Sequence, residues 1–296
     1  MKKVIIVGGG AAGFFTAINT KEMHPDTEVV ILEKGNEVLQ KVKISGGGRC
    51  NVTHACFTPK ELIEFYPRGK KELLGPFHQF MTGDTFEWFE SRGVPLKIER
   101  DNRVFPEANT SQAIIECFQK SVEKLGIIVL KNHGVNAIFQ DENKWVVKTK
   151  LASFKADYVV MAAGSSKKIW DLCKTLNHKI IAPVPSLFTF NIKDERLMDL
   201  MGVTVPNASV QILDTKLNSS GPLLITHWGI SGPAVLKLSA FGAITLAEKK
   251  YNYKVAINWL NKNSEEVLET LQILKKKNPK KAITLKSPFS EISKRL

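Results

Sequence analysis

The run Gly8-Gly9-Gly10-Ala11-Ala12-Gly13 places glycines at the first, third and sixth positions of a Gly-x-Gly-x-x-Gly pattern. In a loop of this kind Gly8 permits a tight turn, Gly10 lets backbone approach a pyrophosphate, and Gly13 lets a helix pack closely on a strand. A phosphate there rests on exposed N–H groups and on the positive end of a helix dipole. Glu33 follows Gly13 by 20 positions, where a carboxylate accepts hydrogen bonds from ribose hydroxyls. The same charge repels a 2′-phosphate, so the pattern points to FAD or NAD and away from NADP at this site.

Two further segments favour FAD. Lys41 to Asn51 reads Lys-Val-Lys-Ile-Ser-Gly-Gly-Gly-Arg-Cys-Asn. Ser45, Gly46, Gly47, Gly48, Cys50 and Asn51 form a second glycine-rich loop whose backbone N–H groups can lie along a pyrophosphate. Lys43 and Arg49 supply adjacent cations. Later, an apolar stretch from Tyr158 to Ala162 runs into Ala163-Gly164, a small-residue turn of the type that lets a returning strand press against a cofactor. Lys34 and Val135 complete the set of candidate cofactor contacts.

Other reactive residue types are sparse. Cys50 and Cys56 are separated by five residues, one more than in the redox-active pair of glutathione-reductase-like disulfide reductases. No second Gly-x-Gly-x-x-Gly supplies a nicotinamide module, and Gly229-Ile-Ser-Gly232 is read as following no buried strand. Unrelated thiols are therefore the favoured reading, with Cys50 near a flavin. His227, in Thr226-His-Trp-Gly, is a candidate proton-transfer group. A turn capping a following helix, with Ser231 as N-cap and Pro233 in the first turn, is preferred for that segment. No His or Cys spacing suggests a metal, and Phe86, Trp88 and Phe89 read as core.

The elements that must position these residues follow from pattern. Lys3–Val7 and Glu28–Leu32 read as buried strands flanking a helix that ends near Met23, giving β-turn-α-turn-β at the start of the chain. After the second glycine-rich loop, a mostly helical region extends to about Gly93. Ile114, Ile115, Phe118, Val122 and Leu125 recur at helical spacing within Thr110–Leu125. Ile127–Leu130 reads as a strand, and Val135–Phe139 with Trp145–Thr149 as a hairpin. After Pro183 and Pro185 the character becomes β-rich, with strands expected at 187–192, 208–213 and 255–259, a helix at 231–248 and another from Ser264. The expected fold class is α/β: a Rossmann-type domain over 1–185, a β-rich insert over 186–262, and a helical part of that insert over 263–296.

The chain has 296 residues and a formal net charge of +13. Much of the charge lies at Lys275-Lys276-Lys277, Lys280-Lys281 and Lys294-Arg295. Without interleaved aromatics these read as solvated faces, and nucleic acid is not the expected partner. No apolar run is long enough to span a bilayer. Four cysteines without a Cys-x-x-Cys pair, and no signal sequence, lead us to expect reduced thiols in a cytoplasm.

The segments Ser45–Thr53, Arg103–Pro106, Pro183–Leu187 and Thr226–Ala234 resemble those of the HI0933/BaiN-like, aminoacetone-oxidase-like NAD(P)/FAD-dependent flavoproteins. The resemblance runs across essentially the whole chain. It implies FAD held by the first glycines, by Glu33 and by the Ser45–Asn51 loop, in a domain interrupted by a β-rich insert. It also implies hydride transfer at flavin N5 on a small organic substrate, with NAD(P)H as a transient reductant. Members of the family continue into a C-terminal segment that returns to the FAD domain, which this sequence lacks. One alternative is accordingly a truncated or degenerate flavoprotein with weak or no FAD binding, and another is a thiol–disulfide reductase using Cys50 and Cys56. Substrate, electron acceptor and oligomeric state are left open.

Overall fold

The computed structural model describes residues 1–280 and 287–296, so Lys281 of the basic run lies outside the described residues. The chain divides into two units, 1–181 and 182–296.

The first unit begins with β1 (Lys3–Val7), α1 (Ala11–Met23) and β2 (Glu28–Leu32). Both strands are almost wholly Val, Ile and Leu because both of their faces are covered, the usual pattern for parallel strands. Val4, Ile6, Val29 and Ile31 enter a core shared with helices. Their neighbours Ile5, Val7, Val30 and Leu32 point the other way, into a core shared with an antiparallel meander. In α1, Phe14, Ala17 and Ile18 are the inward face at helical spacing and are at most 1% exposed.

Next come α2 (Gln40–Gly48), the short β3 (Thr53–His54), α3 (Pro59–Leu62), α4 (Lys70–Gln79) and α5 (Thr82–Glu90). Then follow β4 (Leu96–Ile98), β5 (Arg103–Pro106) and α6 (Ser111–Lys124). Strand β3 thus lies inside the expected mostly helical stretch and joins β4 and β5, which follow it, in a small antiparallel sheet, order β3-β5-β4, that the sequence pattern did not announce. The unit is completed by β6 (Ile128–Leu130), β7 (Val135–Asp141), β8 (Lys144–Thr149), β9 (Ser153–Ala156), β10 (Tyr158–Met161) and α7 (Lys167–Thr175). The central sheet has the order β10-β1-β2-β6, all parallel. Helices α1, α5 and α6 cover one face, and the β7-β8-β9 meander covers the other. This is a three-layer Rossmann-type arrangement, as expected from the sequence.

The second unit contains β11 (Phe190–Asn191), β12 (Thr204–Ile212), β13 (Asn218–Thr226), β14 (Gly229–Ser231), α8 (Pro233–Phe241), α9 (Ala243–Glu248), β15 (Val255–Asn258) and α10 (Ser264–Lys277). Its strands form one antiparallel sheet, order β11-β14-β13-β12-β15. Ala234, Val235 and Leu238 of α8 join its core. Pro206 and Pro222 fit this sheet because the β12–β13 register shifts between Val205 and Ala208, a bulge that tolerates missing ladder donors.

Three expectations are corrected here. Ser231 is the last residue of β14 and not an N-cap; Gly232 caps α8 at φ +98°, where a Cβ would stand 2.7 Å from the Pro222 carbonyl oxygen. The expected 231–248 helix is broken at Gly242 into α8 and α9. Gly229–Gly232 does follow a buried strand, but as the return of an antiparallel hairpin, with no helix-terminal phosphate loop of the parallel kind. No helix among the described residues is long and apolar enough to cross a membrane.

Candidate functional site

At the carboxyl ends of β1, β2 and β10 lies a cleft of about 1200 Å³, the position where open α/β sheets take ligands. Its floor is the Gly8–Ala12 loop. Gly8, at φ +120°, presses on the turn after β10: a Cβ there would stand 2.5 Å from the Ala162 carbonyl oxygen. Gly13 lies beneath, its missing Cβ 2.0 Å from the Gly8 carbonyl oxygen, so helix and strand meet at a distance only glycine allows. Gly10 differs from both. Its φ of −93° suits any residue, and nothing lies within 4 Å of where its Cβ would be. The protein itself makes no demand for glycine at position 10. The open space beside it, at the N-terminus of a helix without acidic residues in its first turn, has the form of a phosphate seat.

Glu33 stands beside this seat at the end of β2. Its Oε2 accepts from the Gly9 N–H at 2.7 Å and its Oε1 from the Gly35 N–H at 2.8 Å. The carboxylate is thus held at the cleft wall with Lys34, His133 and Val135.

Helix α2 is tied to the phosphate loop by Leu39, whose N–H donates to the Gly9 carbonyl at 2.8 Å. Leu39 is buried and adopts φ +59°. The helix unwinds at Ser45, Gly46 and Gly47. Gly46 is required there, since a Cβ would stand 2.7 Å from the Asn51 nitrogen. Cys50, also left-handed at φ +62°, ends the segment. Two side-chain-bearing residues in this costly conformation therefore bracket the loop.

The structure gathers Gly8, Gly10, Ala11, Ala12, Glu33, Lys34, Ser45, Cys50, Asn51, Val135, Ala162, Ala163 and Gly164 around the one cleft. Gly13, Lys43, Gly46, Gly47, Gly48 and Arg49 do not line it. Lys43 is exposed. Arg49 pairs with Glu99 at 2.6 Å and stacks on Phe105 with 3.9 Å from its guanidinium carbon to the ring centre. Trp88 and Phe89 are core residues, 7% exposed, and also wall the cleft with Phe15, Phe80 and Phe118. Lys41, Ser165 and Lys168 line the cleft as well and were not singled out by spacing. No sequence signal marks which lysine of Lys41-Val-Lys43 faces inward, because that depends on how Leu39 ties the start of α2 to the phosphate loop.

All four cysteines are free. Burial pushes the Cys50 thiol above its ordinary value, a Ser45 hydrogen bond opposing this, so it is held protonated and is a poor nucleophile at neutral pH. Cys56 lies behind β3, near the Thr58 carbonyl, and does not line the cleft. His227 is exposed in the β13–β14 turn of the second unit, its ring 3.8 Å from that of Trp228. No cluster of His, Cys, Asp or Glu among the described residues could hold a metal ion.

The parallel sheet, the glycine loop and the cleft define a dinucleotide-binding domain of the Rossmann type. The chain belongs to the HI0933-like family, whose Rossmann domain it matches over residues 2–270. It is 26% identical over 270 residues to the 3-dehydro-bile acid delta(4,6)-reductase of Clostridium scindens, covering 88% of this chain and 65% of that protein. It is 25% identical to the ribosomal RNA dihydrouridine synthase of Haemophilus influenzae, covering 95% of this chain and 73% of that protein. The Escherichia coli ribosomal RNA dihydrouridine synthase is also 25% identical, over 80% of this chain and 60% of that protein. The chain thus spans between three-fifths and three-quarters of the lengths of these relatives.

Proposed function

We propose that the chain binds FAD in this cleft and reduces a carbon–carbon double bond conjugated to a carbonyl group, with NAD(P)H as a transient reductant. The observation that carries the FAD reading is the open seat at Gly10. A ligand's close approach accounts for glycine there, and Glu33 lies where it can take a ribose. The residues fit a dinucleotide: the α1 N-terminus and Gly10 would take the pyrophosphate, Glu33 a ribose, and Ser45, Cys50 and Asn51 the distal part.

The reaction class is supported by the relatives. One is named for reducing the C4 and C6 unsaturation of a 3-oxo steroid acid, and the others for forming dihydrouridine in RNA. Both names describe saturation of a double bond activated by a carbonyl. Bound FAD, once reduced by NAD(P)H, would supply the hydride from N5 to such a bond, and a proton from solvent would complete the saturation. The chain's own part is orientation. Phe15, Phe80, Trp88 and Phe118 form an apolar wall, and the protonated Cys50 thiol lies in the same cleft without competing as a nucleophile.

The test is anaerobic reduction of the FAD-loaded protein by NADH or NADPH, followed by a 3-oxo-Δ4 steroid in one arm and a uridine-containing ribosomal RNA in the other. Reoxidation of the flavin with a mass gain of two hydrogens in either substrate supports the reading, and the responding arm identifies the source of the conjugated carbonyl. A reduced flavin that neither substrate reoxidises removes the ene-reduction reading while leaving FAD binding intact.

A further inference from the structure

A dinucleotide brings two phosphate charges into the cleft, and a helix N-terminus offsets only about half an elementary charge. A cation beside the phosphate loop would offset part of the rest. Lys34, Lys41 and Lys168 are the lysines that line the cleft. The Lys168 ammonium is engaged by the Asn136 side-chain oxygen. Lys34 lies past Glu33, its Cβ 3.2 Å from where a Cβ of Gly134 would be, on the ribose side of the site. Arg49 is committed to Glu99 and Phe105, and Lys43 faces away from the cleft.

Lys41 is placed differently. Its ammonium donates to the Ser165 hydroxyl at 3.1 Å and would be 3.6 Å from a Cβ at Gly164. It therefore lies over the turn after β10, the turn against which Gly8 of the phosphate loop is pressed. That placement is set by rigid parts. Leu39, bonded to Gly9, starts the helix on which Lys41 sits. Its partner is a neutral hydroxyl, as that of Lys168 is a neutral amide, so what sets Lys41 apart is its place over the turn against which the phosphate loop is pressed. A lysine suits such a task, being a compact charge on a flexible stem.

We infer that Lys41 is the cation that neutralises the phosphates of a dinucleotide bound in this cleft, with Ser165 holding the ammonium beside the phosphate loop. The assignment rests on the FAD reading. It predicts that Lys41 matters for phosphate-bearing ligands alone, and that Lys43, two residues away on the same helix, matters little.

The experiment is titration of the full chain with FAD and, separately, with phosphate-free riboflavin, followed by flavin fluorescence, for wild type, Lys41→Gln, Lys41→Arg and Lys43→Gln. Loss of one charge-assisted contact should weaken FAD binding about 10- to 100-fold in Lys41→Gln. Its dependence on salt should become shallower. Lys41→Arg should recover much of the loss, and Lys43→Gln should stay within about twofold, as expected of a side chain that does not line the cleft. Riboflavin binding and the unfolding midpoint without FAD should not change between wild type and Lys41→Gln. Equal FAD affinity in wild type and Lys41→Gln, or an equal loss for riboflavin, would overturn the assignment and leave the FAD reading standing. Wild type that takes up no FAD removes the FAD reading and this assignment with it.

Discussion

Gly13→Ala and Gly10→Ala should fail in opposite ways. A methyl at position 13 would lie 2.0 Å from the Gly8 carbonyl oxygen and 3.2 Å from its carbon. Carbon–oxygen contacts ordinarily sit at about 3.3–3.6 Å, so the overlap exceeds 1 Å and is with backbone, which cannot swing aside. Helix α1 must move off β1, loosening Phe14, Ala17 and Ile18, all at most 1% exposed. Overpacking of this kind costs about 1–3 kcal/mol or more, here at the upper end. The better helix propensity of alanine returns about 1 kcal/mol. The net loss of about 2 kcal/mol should lower the melting transition of the 1–181 unit by about 4–8 °C. Gly10→Ala meets no neighbour within 4 Å and should change stability by less than about 0.5 kcal/mol, yet weaken FAD binding at least about tenfold. Differential scanning calorimetry without FAD, paired with fluorescence titration, reads both effects. Gly13→Ala melting within a degree of wild type, or Gly10→Ala binding FAD normally, would refute the division of labour between the two glycines.

Asp157 accepts from Lys144 Nζ at 2.6 Å and from the Lys3 N–H at 2.8 Å, which hold its carboxyl down at about 2. A carboxylate depressed in the folded state contributes stability above its unfolded pKa of about 3.9. That contribution is lost as pH falls from about 4 towards 2, so Asp157→Asn should flatten the acid limb of the stability curve over that window and show its full deficit at neutral pH. Burial raises the Cys117 thiol, whereas Cys173 is partly exposed; a chromogenic disulfide reagent at neutral pH should modify Cys173 first and reach Cys117 only on unfolding. Arg49→Ala removes a partly buried ion pair and the stacking on Phe105 and should cost about 1–2 kcal/mol in urea denaturation, with equal stability counting against a structural role for Arg49.

The βαβ start was legible because its information is local. The strands of β1 and β2 are continuous apolar runs, and the glycine spacing and Glu33 need no distant partner to be read. The 111–124 helix was legible for the same reason, its buried Ile114, Ile115, Phe118 and Val122 matching the expected face. Strand β5 was not, since Arg103-Val-Phe-Pro106 carries a charge and a proline and is held by tertiary contacts: Val104 is fully buried in the core, and Phe105 is fully buried under the Arg49 guanidinium. Strand β13 begins Asn-Ser-Ser-Gly-Pro, a turn-like composition that only the bulged pairing with β12 makes into a ladder. At the site, the glycines and Glu33 could be named in advance. The inward turn of Lys41 and the outward turn of Lys43 depend on the tie of Leu39 to Gly9 at the start of α2, and the outward turn of Arg49 on a kink at Ser45–Gly47 where Gly46 packs against Asn51 and Phe105.

The most direct test of the account is the visible absorption spectrum of the purified full chain, recorded before and after incubation with FAD and removal of free cofactor. The account predicts a retained flavin band near one equivalent per chain, perturbed from that of free FAD and lost in Gly10→Ala. A folded protein that emerges colourless after saturation with FAD would contradict it.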